Sequence, residues 1–313
     1  MTHGERVRRA LSGEPVDRPP LVLWHHFRPA GSPEALAAAT LAFAEDFDFD
    51  ICKIMPDLPY PEPAPLPLGA PADWRALPQL GTRPGESLGG MPEAVRLVRR
   101  GAPGHVVLMT VFSPLAIALR FAGGAAPLLG LLRSDPDAVL HGLRIIAENS
   151  AALCQAALAS GADGVYFATA GQGDALLNGD EVYGAFGRPF DLAVLEACAP
   201  GWCNIAHMHG PRGLRWRLAA DYPVQVFSWS DRQTGIPLDE VARALPGRVV
   251  MGGIDEAGPV VRGDESALRV EMRDAVGQTG GRRLILAGGC SVPDDIPAEH
   301  LRLARALVDR LDA

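Results

Sequence analysis

The chain has 313 residues, 48% of them hydrophobic, and a formal net charge of −8 at pH 7. That length holds one large α/β barrel or two ordinary domains. The acidic balance argues against the basic surface of a nucleic-acid binder, and no apolar run reaches membrane-spanning length. Neither nucleic acid nor a membrane is an expected partner.

The opening Met1-Thr-His-Gly-Glu-Arg6 lacks the apolar core of a signal peptide. The five cysteines, Cys52, Cys154, Cys198, Cys203 and Cys290, are odd in number and scattered through apolar segments. They read as reduced thiols in a cytoplasmic protein rather than as a disulfide framework. Lys53 is the only lysine.

In chain order, residues 4–13 read as a short amphipathic helix and 21–24 as a first strand that runs into His25 and His26. Residues 33–47 are alanine-rich and helical, with a proline in the first turn. Residues 50–55 form the second strand, ending at Pro56-Asp57. Residues 59–90 are crowded with proline and glycine. They begin an irregular insertion that reaches to about 104, with a short helix near 91–100. The third strand, 105–111, ends near Ser113; a helix follows at 115–121 and a long one at 136–160, closed by Gly161. The remaining strands are 164–168, 203–207, 224–227, 248–251 and 283–287. Helices are expected at 180–198, 238–245, 266–278 and 297–311.

Eight short apolar runs alternating with helices imply a parallel sheet covered on both faces. The expected fold is a single (β/α)₈ barrel over residues 1–313, with an open doubly wound sheet as the alternative. No GxGxxG follows the first strand, so the usual dinucleotide signal is missing.

Side chains two apart on a strand face the same way, so His207 and His209 at the end of the fifth strand project together. Two buried imidazoles need partners for their nitrogens, and a divalent metal supplies one. Cys290, just after the eighth strand, is the expected third ligand. The bland alternative is a pair of hydrogen-bonded core histidines. Active sites of this fold sit at the C-terminal ends of the strands. The other polar residues expected there are Lys53, Asp57, Asp231 and Asp255 as catalytic candidates, and His25, His26, Arg28, Ser113, Gln172 and Trp229 as substrate-binding ones. Asp57, Asp231 and Asp255 read equally as turn or helix caps. Lys53 reads equally as a solvated or salt-bridged residue. The other four cysteines read as core.

Four segments resemble the uroporphyrinogen decarboxylase superfamily: Arg9-Ala-Leu-Ser-Gly-Glu-Pro-Val-Asp-Arg-Pro-Pro20, Gly161-Ala-Asp-Gly164, Gly252-Gly-Ile-Asp255 and Gly289-Cys-Ser-Val-Pro293. The resemblance implies a distorted TIM barrel and a homodimer. The decarboxylase branch carries an Arg-x-Ala-Gly-Arg segment after the first strand. Here the equivalent Trp24-His-His-Phe-Arg-Pro29 keeps only Arg28. The family's pyrrole-binding aspartate falls near Asp57, its tyrosine is replaced near Arg120, and its C-terminal histidine falls near Cys290. The second branch comprises zinc methyltransferases that move a methyl group from a corrinoid protein to a thiol. Its His-x-Cys plus distant Cys is similar to His207-x-His209 plus Cys290, with one thiolate changed to imidazole, and zinc accepts both. The resemblance therefore implies a zinc enzyme that activates a thiol or similar nucleophile. The chain has no Asp-x-His-x-x-Gly motif, so a corrinoid would arrive on a separate partner protein. The alternatives are metal-free decarboxylation of a tetrapyrrole, or a barrel that only binds one.

Overall fold

Each of the eight apolar runs forms a strand in the computed structural model, which describes residues 1–28, 30–170, 180–210 and 213–311. The strands are Leu21–Val22 (β1), Ile51–Ile54 (β2), Val106–Phe112 (β3), Gly164–Thr169 (β4), Ile205–Met208 (β5), Val226–Ser228 (β6), Val249–Ile254 (β7) and Leu284–Gly288 (β8). Every ladder is parallel, and the order is β1-β8-β7-β6-β5-β4-β3-β2. The fold is a (β/α)₈ barrel, closed by ladders everywhere except between β1 and β2. That seam carries a backbone bond from the Asp50 N–H to the Leu21 carbonyl, 2.9 Å long.

Alternation along the strands divides the core in two. Val22, Ile51, Val106, Leu108, Ile205, Val226, Val249 and Ile285 pack together inside the barrel. Their sequence neighbours, such as Leu21, Cys52, Val107, Ala206, Phe227 and Val250, pack outward under the helices. Continuing the inward positions toward the C-terminal ends replaces aliphatic residues with Lys53, Thr110, Tyr166, His207 and Ser228. The barrel interior is thus apolar at its lower end and polar at its upper end.

The helices follow the expected spans; short helices at Asp231–Thr234 and Pro259–Arg262 are additional, and two larger differences stand out. Residues 180–198 form two helices, Asp180–Phe186 and Arg188–Ala197, broken at Gly187. Ala125–Ser134 is helical although the sequence pattern gave no helix there. The segment AAPLLGLLRS is apolar on most sides, so it has no helical stripe to read. Among the described residues, no single helix is long and apolar enough to cross a membrane.

The proline-rich stretch before Gly90–Gly101 holds one short helix, Pro71–Arg75. It lies along Pro136–Ala159, where the Leu80 N–H donates to Asn149 Oδ1 at 2.9 Å. Trp74 is fully buried there and faces Gly142, whose missing Cβ would sit 2.6 Å from the indole. A second hydrophobic cluster results, built from Leu68, Trp74 and Leu77 with Leu115, Phe121 and Leu143.

At the N-terminal end of the barrel, Asp50 is fully buried. It accepts from Arg6 Nη1 and Arg18 Nη1 at 2.6 Å each, from the Leu21 N–H at 2.8 Å, and pairs with His3 Nδ1 at 3.0 Å. Burial alone would raise its pKa. The bonds from His3, Arg18 and Leu21 outweigh burial and bring it down to about 2. Arg6 also forks onto Asp17 at 2.7 and 2.8 Å. The Asp17-Arg18 pair of the family-like opening segment therefore ties the chain start to the bottom of the barrel.

Candidate metal centre

Two strand ends, those of β5 and β8, bring three candidate ligands to the upper polar layer. His207 is the third residue of β5 and faces inward by the same parity as Ile205, while Ala206 and Met208 face out. His209 follows it at the mouth and is exposed. β5 and β8 are not neighbours, since β6 and β7 lie between them, but the loop after β8 crosses the opening. Gly289 passes so close to the chain at Ser230 that a Cβ would lie 2.2 Å from its Cα. The Gly289 N–H donates to Glu256 Oε2 at 3.2 Å, and the Val292 N–H donates to the Trp24 carbonyl at 3.0 Å. Those bonds hold Cys290 over the histidines. One ligand atom from each of His207, His209 and Cys290 lies within 4.8 Å of the others.

The donor set fits a metal on two counts. The His207 ring is buried, its Nδ1 lies 3.3 Å from Ser228 Oγ, and its Nε2 has no hydrogen-bond partner. A buried ring nitrogen without a partner is costly and is the atom a metal would take. Cys290 supplies a thiolate: burial alone would raise its pKa, but the two imidazoles outweigh that and lower it to about 4. Burial holds the His207 pKa below its usual value, whereas the Cys290 thiolate raises that of His209. Two imidazoles, which must be neutral to bind a metal, and a thiolate make a ligand set that zinc accepts.

The centre opens into a cavity of ≈ 340 Å³, lined among others by Trp24, His26, Lys53, Tyr60, Thr110 and Tyr166. Lys53 is buried, with Nζ 4.2 Å from the centroid of the Tyr166 ring, 4.9 Å from that of Trp24 and 3.1 Å from Met55 Sδ. Burial lowers its pKa to about 7, only partly offset by the charges of Cys290 and Asp57. Tyr166 stacks on His207 with ring centroids 5.2 Å apart.

The other expected site residues have different surroundings. Asp57 does not line the cavity but stands behind His26, 2.5 Å from its Nδ1, and accepts from the Phe27 N–H at 2.7 Å. His26 itself lines the cavity. His25 turns away, its Nδ1 2.8 Å from the His26 carbonyl and its ring against Phe27 and Phe43. Arg28 is exposed, 3.8 Å from Asp57. Ser113 is buried and caps Pro114–Ala122, accepting from the Ala116 N–H at 3.2 Å. Trp229 is buried in the outer core and donates to the Ile236 carbonyl at 3.0 Å. Asp231 is buried beneath β7, accepts from the Gly253 N–H at 2.9 Å, and has its pKa raised by burial to about 6. Asp255 accepts from the Ala257 N–H at 3.0 Å and from Gln233 Nε2 at 2.6 Å. Gln172 lies outside the described residues. Ser228, Thr110, Tyr166 and Glu256 were not marked by the sequence; the first three share inward parity with His207 or Lys53, the one signal that would have found them.

Residues 55–311 match the family model described as Uroporphyrinogen decarboxylase (URO-D). The chain belongs to the uroporphyrinogen decarboxylase family. Its fold is similar to that of a methyltransferase from Methanosarcina mazei, at 16% identity and a TM-score of 0.76, with 99% of each chain covered. A putative vitamin-B12 independent methionine synthase from Listeria monocytogenes is also similar, at 12% identity and a TM-score of 0.59, covering 96% of this chain and 98% of that one. So is a B12-independent methionine synthase from Shewanella sp. W3-18-1, at 12% identity and a TM-score of 0.56, covering 95% and 94%. At these identities the likeness concerns the fold. No curated protein matches the chain.

Proposed function

We propose that this member of the uroporphyrinogen decarboxylase family is a zinc-dependent methyltransferase that methylates a small thiol from a corrinoid carried by a separate protein. The observation that carries the reading is the convergence of His207, His209 and Cys290 within 4.8 Å, with the buried Nε2 of His207 unpartnered. These three residues would hold the zinc. Zinc with an open position supplies a Lewis acid that favours the thiolate over the thiol. The S–CH₃ bond forms as the Co–CH₃ bond breaks, the bonding pair stays on cobalt, and the thiol proton leaves.

The chain's own residues prepare this step. Ser228 steadies the His207 ring through Nδ1. Glu256, which also accepts from Ser230 Oγ at 2.6 Å, anchors the loop that presents Cys290. The His26 imidazole lines the cavity and is anchored by Asp57, so this reading assigns it the thiol proton. The apolar walls limit water around the sulfur. A homodimer is the assembly the family implies, and a single barrel domain over residues 1–313 belongs to the same reading.

Decarboxylation of a porphyrinogen draws less support. Both Asp57 oxygens already face His26 and Phe27, and Arg28 is exposed. The test is zinc per chain in protein purified without added metal, for the wild type and for Cys290→Ser. Close to one zinc in the wild type and a large loss in the variant are expected. A wild type that cannot be loaded at neutral pH overturns the reading. Loaded protein should then transfer methyl from methylcobalamin to a thiol, with loss of its Co–C absorbance band.

A further inference from the structure

Lys53 is a buried amine that feels the charges of Cys290 and Asp57 without an ion pair to either among the described residues. No carboxylate makes an ion pair or hydrogen bond with it among the described residues; its contacts are two ring faces and one thioether. Cation–π contacts contribute about 0.5–2 kcal/mol each. Desolvating an ammonium costs several kcal/mol, so the rings alone do not account for a charged group at this depth. Beside it stand two further polar groups without partners: the hydroxyls of Thr110 and Tyr166, both buried. Thr110 and Tyr166 are opposed in the β3–β4 ladder, and Lys53 Nζ lies 4.2 Å from the centroid of the Tyr166 ring. All three residues line the same cavity as His207 and Cys290.

We infer that Lys53, Thr110 and Tyr166 form a carboxylate-binding subsite on the cavity floor, so that the acceptor is a small thiol carrying a carboxylate on a short aliphatic linker. The inference rests on the proposed thiol reading for the sulfur end, but not for the anion end. One ammonium and two hydroxyls offer a single positive charge and two O–H donors. That set balances a monoanion, whereas a dianion such as phosphate would stay undercompensated in an apolar cavity. Among the described residues, two arginines stand at or near the cavity, Arg120 in its lining and Arg28 outside it, and both are engaged elsewhere. Arg120 is spent on Glu62 at 2.7 Å and on the Tyr60 carbonyl at 3.0 Å, and Arg28 faces solvent. Tyr166 lies between Lys53 and His207, in contact with both rings or heads, so a short linker spans from the subsite to the metal centre.

The test compares 3-mercaptopropionate with its neutral amide, 3-mercaptopropionamide, by calorimetric titration of the zinc-loaded protein. Wild type should prefer the acid by about tenfold or more, the worth of a charged hydrogen bond. Lys53→Met, which keeps the volume and apolar stem, should erase that preference while retaining zinc and thermal stability. Thr110→Val and Tyr166→Phe should each reduce it about threefold or more. Equal binding of acid and amide by the wild type, or an undiminished preference in Lys53→Met, overturns the subsite. A parallel titration uses butyrate and butyramide with Cys290→Ser, where neither thiol nor intact metal centre contributes. A Lys53-dependent preference for butyrate there sustains the subsite even if zinc is never bound. Tight binding of both mercapto compounds without discrimination sustains the thiol reading and rejects the subsite.

Discussion

The two ends of the barrel treat buried polar groups in opposite ways. At the N-terminal end, Asp50 is fully buried, yet Arg6, Arg18, His3 and the Leu21 N–H surround it. At the C-terminal end, polar atoms are buried and left open. Eight buried side-chain polar atoms lack a partner among the described residues, and four of them belong to Tyr60, Thr110, Tyr166 and His207, which line one cavity. Unmet groups are rare in native interiors, and their gathering in one place separates them from random packing faults. The lower network completes itself and serves folding. The upper one gathers the donors that the proposed metal and acceptor would engage. The same division explains why the family-like segment Asp17-Arg18 has no role at the site: it closes the lower network.

The largest effect expected from breaking this contrast is at Asp50. Asp50→Ala leaves Arg6 and Arg18 facing each other without their shared carboxylate, and removing one partner of a buried ion network costs about 3–5 kcal/mol. Urea denaturation checks this, and a loss under about 1 kcal/mol would remove the lower network from the stability argument. The pH dependence follows from the depressed pKa. Asp50 ionises near 2 when folded, below the ordinary aspartate value of 3.8. Its contribution is present above the unfolded pKa and is lost as pH falls from about 4 through about 2. The acid limb of the stability curve should therefore be shallower in Asp50→Asn, which starts less stable at neutral pH.

A smaller effect is expected where the proline-rich stretch meets the barrel. Gly142→Ala pushes a methyl group into the Trp74 ring. Trp74 is fully buried, so the strain has no easy release and costs about 1–3 kcal/mol. Differential scanning calorimetry reads it as a lower Tm. Zinc content should stay that of wild type, because the contact lies in the second hydrophobic cluster and not in the upper layer.

At the upper end the expected losses appear in affinity instead. Ser228→Ala removes the group beside His207 Nδ1. Outer partners of ligand histidines contribute about 10–100-fold to metal affinity, and the long 3.3 Å contact places this one at the lower end, about tenfold. Competition with a zinc chelator measures it. An unchanged affinity would mean that the ring is held by stacking on Tyr166 alone. The thermal stability of the metal-free variant should move little, because Ser228 contributes one long contact to His207 there.

Much of this layout was legible in the chain because parallel strands buried on both faces are continuous apolar runs. All eight runs became strands, and the His207-x-His209 spacing placed both imidazoles at one strand end. Facing was harder to read. Trp229 was expected at the site and Ser228 was not, yet Ser228 pairs with His207 in the β5–β6 ladder and faces inward, while Trp229 faces the outer core. One residue of parity decides which of two neighbours meets the cavity, and an apolar run bounded by a loop does not fix it. Tyr166 and Thr110 were invisible for a related reason: a polar atom inside an apolar strand looks like core until its neighbours are known. The proline-rich stretch stayed unread because its order comes from contact with Pro136–Ala159, not from its own periodicity.

Ser113 gives the smallest effect and the sharpest separation of scaffold from site. It stands at the C-terminal end of β3, where the fold places its chemistry, and so was expected to touch substrate. The structure instead has its Oγ accepting from the Ala116 N–H at 3.2 Å, at the start of Pro114–Ala122. The residue is fully buried and does not line the cavity. Loss of a serine cap costs about 1 kcal/mol. Ser113→Ala should therefore lower the urea midpoint slightly, while zinc content and the KM for the thiol stay at wild-type values. Ser113→Asp, which keeps a capping oxygen and suits a helix N-terminus, should recover part of the loss. A Ser113→Ala variant with wild-type stability and a raised KM would move this residue from the scaffold to the site, and with it the boundary between the two layers of the barrel.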